Sequence, residues 1–271
     1  QTTRASGSNS LFPSTGSPKA IVLLVEFSDL GFKVDKPKEQ FEKYLNSSEK
    51  LTDVTKTEYN NFSSVKQYFT DMSFGKFTPQ FDLYGPYKVS GSFATYGKND
   101  NMALLFTDAC SAADEDIDFS QYDADGDGKV DLVYIIYAGY GENYSSNNSN
   151  YIWPQSGKVS LTETFDGKRI ERYGVNNELF GEESKETQYG PRLNGIGLFC
   201  HEFCHCLGLP DMYPTGFFSN AIECCNVGLG YYGLMDAGEY TYNGFRPTAL
   251  TCWERATLGW TEIEELTEPC D

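Results

Sequence analysis

The stretch His201-Glu202-Phe203-Cys204-His205-Cys206-Leu207-Gly208-Leu209-Pro210-Asp211 decides how the rest of this 271-residue sequence is interpreted. The chain has two histidines, and both lie in this stretch, four residues apart. On an α-helix, residues four apart share one face and are separated by about 6 Å along the axis. Two imidazoles placed in this way can bind one metal ion, and Glu202 beside the first can accept a proton from water. The stretch therefore predicts a zinc site with a general base.

The residues that follow His205 predict the third protein ligand. Gly208 can end the helix in a left-handed conformation, and Pro210 prevents the helix from continuing. The chain then turns back and brings Asp211 towards the metal, at a position where metzincin peptidases usually have histidine. Zinc also accepts carboxylate oxygen. A gluzincin arrangement, with a glutamate such as Glu223 as third ligand, stays open, although Gly208 favours Asp211.

The cysteines around the two histidines do not fit a structural zinc site. Cys200 and Cys204 lie about 100° around the helix from His201 and His205, so one helix cannot place all four tetrahedrally about an ion. Of eight cysteines, seven follow residue 199: Cys200, Cys204, Cys206, Cys224, Cys225, Cys252 and Cys270. An even count in an exported chain predicts disulfides, with reduced and buried thiols as the alternative.

A second short stretch, Gly233-Leu234-Met235-Asp236, follows Asp211 by about two dozen residues. A methionine in a tight turn below the metal is a feature of metzincins. Met235 could be an ordinary core residue, but its distance from the first motif favours the turn. Tyr240 and Tyr242 come shortly afterwards and are candidate donors to the transition state. Ordinary surface positions are the favoured alternative for both in a chain with 19 tyrosines.

An acidic loop predicts a second, structural metal site, for calcium. Five residues occupy positions 1, 3, 5, 7 and 9 of an EF-hand-like loop: Asp123, Asp125, Asp127, Lys129 (through its carbonyl) and Asp131. Tyr134 stands where an EF-hand has a bidentate glutamate, so Asp116, Asp118 or water would complete the shell. A buried strand is predicted after the loop, so the ion would brace a strand end. A solvated acidic turn is the alternative.

These motifs together resemble the M6 family of metallopeptidases, the immune inhibitor A-like group, from about residue 16 to residue 260. The resemblance rests on the strand at 21–29, SVKQYF at 64–69, SFGK at 73–76, DADGDGKVDLVYIIYAGYG at 123–141, YIWP at 151–154, HEFCHCLGLPDMY at 201–213, GLMDAGEY at 233–240 and WERATLGW at 253–260. It implies a secreted zinc endopeptidase with His201, His205 and Asp211 as ligands and Glu202 as general base. The family usually has a small residue at the position of Cys204.

The pattern of strands and helices predicts an α/β (α+β) three-layer sandwich, which the resemblance makes metzincin-like. We expect a twisted, mostly parallel mixed sheet with the active-site helix and backing helices, and a small irregular C-terminal subdomain. Strands are predicted at 20–27, 77–84 and 130–138, and helices at 37–45, 61–72, 100–113, 197–207 (with Asn194 as N-cap) and 247–258. Residues 1–18 are predicted to be a flexible lead, followed by one catalytic domain, 19–271, divided by the cleft into 19–208 and 209–271.

Composition limits the partners. A net charge of −18 and a pI near 4.5 argue against nucleic acid or an anionic membrane as partner. We expect no membrane span, because no apolar stretch reaches the ~18 residues needed. The chain opens with QTTR, so we expect that its signal and upstream pro-segment have been removed. We also expect a secreted or cell-surface protein, and a monomer.

Three functions stay open at this stage. The favoured one is hydrolysis of protein or peptide substrates with catalytic zinc and structural calcium. The second is a catalytically silent metal-binding interaction module on a peptidase scaffold, against which the retained Glu202 argues. The third is a zinc hydrolase that acts on another amide, and the shape of the substrate cleft would distinguish it from a peptidase.

Overall fold

The centre of the protein is a five-stranded sheet. The computed structural model describes residues 11–50, 59–98, 100–145, 150–213 and 228–264. The strands of the sheet are β1 (Lys19–Glu26), β2 (Gln80–Lys88), β4 (Val133–Tyr140), β5 (Gln155–Lys158) and β7 (Arg172–Leu179), while β3 (Lys129–Val130) and β6 (Arg169–Ile170) form a separate pair. The order is β2-β1-β4-β7-β5, with four parallel strands and β5 antiparallel at one edge. The predicted mostly parallel mixed sheet is confirmed.

Helices cover both faces of this sheet. The helices are α1 (Pro37–Asn46), α2 (Val65–Met72), α3 (Phe93–Gly97), α4 (Met102–Ala113), α5 (Glu186–Tyr189), α6 (Ile196–Leu207) and α7 (Cys252–Thr257). Alternate residues of β1 face opposite ways: Val22 packs in the core with Phe199 of α6, and Ile21 packs in the core with Phe106 of α4. Because β1 is buried on both faces, its sequence is a continuous run of apolar residues. The predicted three-layer arrangement is confirmed.

Strand β7, which lies between β4 and the edge strand β5, is not among the predicted strands. Every residue of this strand is buried, yet it contains an arginine, two asparagines and a glutamate. The carboxylate of Glu178 accepts hydrogen bonds from the backbone N–H groups of Lys33, Val34 and Gly139 at 2.7–2.8 Å. The polar residues interrupt the apolar pattern that would indicate a buried strand. Their burial depends on partners from distant segments, which the local sequence does not show.

Side chains at the helix ends explain where the helices begin. The helices expected from residues 61 and 247 begin at 65 and 252, because Ser64 and Thr251 cap them. The prediction that Asn194 caps α6 is wrong. The N–H of Ile196, at the start of the helix, donates instead to the side chain of Asn61 at 2.9 Å. Within the described parts of the chain, no helix is long and apolar enough to cross a membrane.

Residues 11–18 pack against the body of the protein. Phe12 is 1% exposed, and its ring lies 5.4 Å from that of Phe203 on α6. The Ser14 hydroxyl donates to the carbonyl of Leu258. The expected flexible lead over 1–18 is therefore wrong for 11–18, while residues 1–10 lie outside the described part of the chain.

The described cysteines form no disulfides. Cys110, Cys200, Cys204, Cys206 and Cys252 are all free, and the first four are buried. Burial raises the pKa of each of these four thiols, so they stay protonated and behave as small apolar side chains. The expectation of disulfides fails for these five, in favour of reduced and buried thiols. Cys224, Cys225 and Cys270 lie outside the described residues.

Candidate active site

Helix α6 brings the two imidazoles to one face. The ring centroids of His201 and His205 are 4.9 Å apart. Nδ1 of His201 lies 2.9 Å from the carbonyl oxygen of Leu234, and Nδ1 of His205 lies 2.8 Å from that of Leu209. A carbonyl can only accept a hydrogen bond, so each Nδ1 carries the proton of the neutral ring. Both Nε2 atoms therefore carry a free lone pair and can bind a metal.

The turn after α6 returns a carboxylate to these imidazoles. Gly208 ends the helix with φ at 101°, in the left-handed region that favours glycine. A Cβ at this position would lie 2.8 Å from the side chain of Leu11. Oδ1 of Asp211 then lies 3.3 Å from Nε2 of His201 and 3.2 Å from Nε2 of His205. The alternative ligand, Glu223, lies outside the described residues.

The three side chains fit one metal ion. The ligand atoms of His201, His205 and Asp211 lie within 4.8 Å of one another. Oδ1 of Asp211 is buried and has no hydrogen-bond partner in the described structure. A buried carboxylate oxygen without a partner costs free energy unless a cation joins it. Two imidazole nitrogens and one carboxylate oxygen are a donor set that zinc accepts.

Without metal, this cluster retains a proton. Burial opposes the charged form of His201, but the neighbouring Asp211 carboxylate raises the pKa of His201 to about 9. The same balance raises the pKa of His205. For Asp211, burial favours the neutral acid, and the two histidines overcome this and lower its pKa. A metal ion must therefore displace a proton from the imidazoles near neutral pH.

Glu202 is the one acidic residue of α6. It is 7% exposed and lines a cavity of about 200 Å³ together with His201. Burial raises the pKa of Glu202 to about 7, against the opposing effect of His201 and His205. A carboxyl group with a pKa near neutral can both accept and return a proton. The geometry therefore places a carboxyl group that can exchange a proton near neutral pH beside the two imidazoles.

The cavity opens next to the antiparallel edge of the sheet. Trp153 and Pro154, which directly precede β5, form part of its wall. Helix α6 packs against β5, and among the described strands β5 pairs with β7 alone. The cavity lined by His201 therefore adjoins a strand with a free edge among the described strands.

The segment that contains Met235 packs against His201. Met235 is fully buried in the core, and its carbonyl accepts a hydrogen bond from the N–H of Met212 at 2.7 Å. Its neighbour Leu234 provides the carbonyl that orients His201. The structure thus joins the methionine segment to the turn that carries Asp211.

Three tyrosines near the site have different positions. Tyr240 lines the cavity, whereas Tyr242 is 64% exposed, and the guanidinium group of Arg246 lies over its ring. Tyr213, which the sequence analysis did not single out, also lines the cavity. Burial and the adjacent Asp211 carboxylate raise the pKa of Tyr213, so its hydroxyl remains a donor. The spacing of two residues after Asp211 is the signal that could have identified it.

Glu239 is a second residue that the sequence did not reveal. It lines the same cavity and is 6% exposed. Its backbone approaches α6 closely because Gly197 has no side chain: a Cβ there would lie 2.0 Å from the Glu239 carbonyl oxygen. Burial raises the pKa of Glu239 to about 7. Nothing in the local sequence distinguishes this glutamate from an exposed one.

The acidic loop brings together only some of the predicted calcium ligands. Carboxylate oxygens of Asp123, Asp125 and Asp131 lie within 4.8 Å of one another, and Oδ1 of Asp123 is buried without a hydrogen-bond partner. Asp127 is not part of this group, and its Oδ1 accepts a hydrogen bond from the N–H of Lys129 at 2.9 Å. Burial, followed by the neighbouring aspartates, raises the pKa of Asp131 to about 6.

A lysine already occupies part of this loop. Nζ of Lys168 lies 2.6 Å from Oδ2 of Asp123. The two residues suggested to complete the shell are engaged elsewhere: Asp116 accepts a hydrogen bond from the Tyr87 hydroxyl, and Asp118 caps the 3₁₀ helix Phe119–Tyr122. The loop therefore offers three converging carboxylates, one of which is paired with an ammonium group.

Comparison with known proteins identifies relatives of this chain. The family model described as immune inhibitor A peptidase M6, catalytic domain, matches residues 12–260. Immune inhibitor A of Bacillus thuringiensis subsp. alesti is 30% identical over 292 residues, which cover 92% of this chain and 41% of that protein. Pre-pro-metalloprotease PrtV of Vibrio cholerae serotype O1 is 25% identical over 224 residues, which cover 73% of this chain and 24% of that protein. The chain spans less than half the length of these relatives.

Proposed function

The chain belongs to the M6 family of metallopeptidases, the immune inhibitor A group, and we propose that it is a zinc-dependent endopeptidase. The proposed zinc ligands are His201, His205 and Asp211, with Glu202 as general base. The observation that carries this proposal is the convergence of the buried Oδ1 of Asp211 on two imidazole nitrogens at 3.2–3.3 Å, with no other donor to this oxygen among the described residues, so that either a retained proton or a metal ion must join the three atoms. Such an arrangement is stabilised when a cation binds all three atoms.

The proposed chemistry divides between the metal and the protein. Zinc bound at this site would supply a Lewis acid that polarises a peptide carbonyl and makes water more acidic. Glu202 accepts the proton of the attacking water and passes it to the nitrogen of the leaving amine. The hydroxyl of Tyr213 or Tyr240, both in the cavity wall, donates a hydrogen bond to the oxyanion.

The sheet edge beside the cavity supports an endopeptidase rather than a hydrolase of small amides. An extended peptide can add a strand to a free sheet edge through main-chain hydrogen bonds. The β5 edge lies beside the cavity, since Trp153 and Pro154 belong to both the cavity wall and the approach to this strand. A peptide bound there continues past the site in both directions, so that cleavage is internal.

We further propose that residues 19–271 are one catalytic unit with its cleft between 19–208 and 209–271. The core supports this, because Leu234, Leu250 and Trp260 share a buried cluster with Val22 of β1. Secretion, a monomeric state and release from an upstream pro-segment complete the proposal. The net charge of −18 and the membership of the M6 family are compatible with them.

Calcium in the acidic loop is a separate structural proposal. The buried, unpartnered Oδ1 of Asp123 and its convergence with Asp125 and Asp131 support it. Oxygen donors of this kind suit Ca²⁺. A ligand that binds only the folded state raises its stability, so added calcium should raise Tm, and no rise at millimolar calcium contradicts this proposal.

Cleavage of an unstructured protein such as casein tests the catalytic proposal. Zinc-loaded wild type is compared with zinc-loaded Glu202→Ala, after circular dichroism has shown the same fold. We expect the variant to lose at least ~10²-fold of the activity, because a general base is removed. Equal activity in both proteins would contradict the role of Glu202. Zinc binding without cleavage in the wild type would favour the silent interaction module instead.

A further inference from the structure

Glu239 has a buried carboxylate oxygen that nothing in the described structure satisfies. The residue is 6% exposed, and its Oε2 makes no hydrogen bond. Its backbone carbonyl packs closely against Gly197 on α6, which places the residue at the wall of the cavity. A buried ionisable group without a partner is costly, and such groups concentrate at binding sites. The proposed mechanism does not use this carboxylate.

The cavity that Glu239 lines suits a cation with an apolar stem. Its acidic lining residues are Glu202, Asp236 and Glu239, and none of its described lining residues is lysine or arginine. Trp153 and Tyr213, which are 49% and 42% exposed, present aromatic surface in the same wall. Aromatic faces attract guanidinium and ammonium groups and cover their aliphatic stems.

Two of these three carboxylates have other partners. Both oxygens of Asp236 accept hydrogen bonds from backbone N–H groups, those of Gly230 and Ala237, at 2.7 Å. Glu202 is assigned to proton transfer. Glu239, whose carboxylate also interacts with the hydroxyl of the neighbouring Tyr240, keeps Oε2 without a partner among the described residues, and this oxygen can bind a substrate group.

A hydrogen bond to the proposed metal ligand does not account for Glu239, although its charge acts on His201. Its Oε1 lies 4.0 Å from Nδ1 of His201, which is beyond hydrogen-bond distance. That Nδ1 already lies 2.9 Å from the carbonyl oxygen of Leu234. The orientation of His201 is thus provided by the backbone, and the carboxylate of Glu239 remains available.

We propose that Glu239 determines specificity: it pairs with the cationic side chain of a lysine or arginine next to the scissile bond. This inference rests on the proposed peptidase function, since it places the side chain of a substrate residue in the cavity beside the metal ligands. A planar guanidinium group can form two parallel hydrogen bonds with a carboxylate, so arginine is the better of the two.

Matched substrates test this inference. Peptides that differ only beside the scissile bond carry arginine or its neutral isostere citrulline, and the ratio of kcat/KM is measured for each enzyme. Because the ratio is taken within one enzyme, differences in active fraction cancel. We expect the wild type to prefer arginine by at least ~10-fold, mainly through KM, since an unpaired buried carboxylate penalises the neutral substrate. In Glu239→Gln, this ratio should fall to near one, and Glu239→Asp should retain part of it.

Glu254→Gln is the matched control. Glu254 is also fully buried and also has an unpartnered oxygen, but it lies in the capping box of α7 and does not line the cavity. We expect the wild-type preference for arginine in this variant. An unchanged ratio in Glu239→Gln would overturn the inference. An equal loss of kcat/KM for both peptides in Glu239→Gln, together with weaker zinc binding, would also overturn the inference, because a residue that only positions the metal site would give this result.

A binding measurement separates this inference from the proposed function. Zinc-loaded Glu202→Ala, which should not cleave, is titrated with the fluorescently labelled arginine and citrulline peptides. We expect the Glu202→Ala variant to bind the arginine peptide more tightly than the citrulline peptide, and the double variant with Glu239→Gln to bind both equally. This result supports the specificity site even if the wild type does not hydrolyse peptides. Equal binding of both peptides overturns the inference even if the wild type is an active peptidase.

Discussion

The α6 site and the acidic loop both bring three ligand atoms within 4.8 Å, but they differ in what else satisfies those atoms. In the α6 site, Oδ1 of Asp211 faces two imidazole nitrogens and has no other hydrogen-bond donor among the described residues. In the loop, Oδ1 of Asp123 is likewise unpartnered, but Oδ2 of the same carboxylate already binds the ammonium group of Lys168 and the N–H of Gly128. Spacing thus identifies the residues that can bind a metal, whereas competing protein donors decide how strongly a site requires one.

The largest expected difference between the two sites is in zinc affinity. Asp211→Asn removes a proposed ligand, while Asp125→Asn makes the same chemical change in the acidic loop. Loss of outer partners of a metal site already costs 10–100-fold, so we expect Asp211→Asn to weaken zinc binding by at least ~10²-fold. Asp125→Asn should leave it unchanged. Competition with a chromogenic chelator measures both constants, and equal affinities in the two variants would contradict the assignment of Asp211.

The two sites should also differ in pH dependence. The pKa of His201 in the metal-free protein is about 9, so below that pH zinc must displace a proton. Zinc affinity should rise roughly tenfold per pH unit between pH 7 and pH 9 and then level off. The pKa of Asp131 is about 6, so calcium affinity should rise up to about pH 6 and stay flat above it. Chelator competition at several pH values tests both profiles, and a flat zinc profile would show that the imidazoles bind no proton.

Replacing a glycine by alanine should lower the free energy of unfolding by different amounts in the two sites. Gly208 and Gly126 both have positive φ, but a Cβ meets the Leu11 side chain at Gly208 and nothing within 4 Å at Gly126. Alanine at Gly126 should cost about 1 kcal/mol for the left-handed backbone alone. Alanine at Gly208 should cost more, about 2 kcal/mol, because a clash is added. Urea unfolding measures both free energies, and equal values would show that Leu11 moves away freely.

The smallest expected effect concerns the lysine in the loop. Lys168→Met removes the ammonium group that lies 2.6 Å from Asp123. A partly exposed ion pair is worth about 1 kcal/mol or less, so calcium affinity should rise by up to about fivefold. Lys158→Met, which breaks the pair between Lys158 and Glu171 outside the three-aspartate group, is the control. Calorimetric titration measures the change, and weaker binding in Lys168→Met would show that this lysine supports the loop.

Local sequence was enough for the parts of the site that depend on local structure. Helical spacing placed His201 and His205 on one face, and Gly208 predicted the turn that returns Asp211. The same kind of reasoning found the doubly buried β1, because its pattern is continuous. The residues that were missed depend on tertiary contacts: Asn61 caps α6 from a distant segment, and Glu239 is buried because it packs on Gly197. Such contacts leave no periodic signal in the sequence.

X-ray absorption at the zinc edge, on the zinc-loaded chain, tests the central claim most directly. We expect two nitrogen neighbours at ~2.0–2.1 Å and carboxylate oxygen at ~2.0–2.2 Å, with no sulfur shell. In Asp211→Asn, the oxygen contribution should change while both nitrogens remain. A sulfur shell near ~2.3 Å would contradict the assignment, because it would place the metal on cysteines instead of on His201, His205 and Asp211.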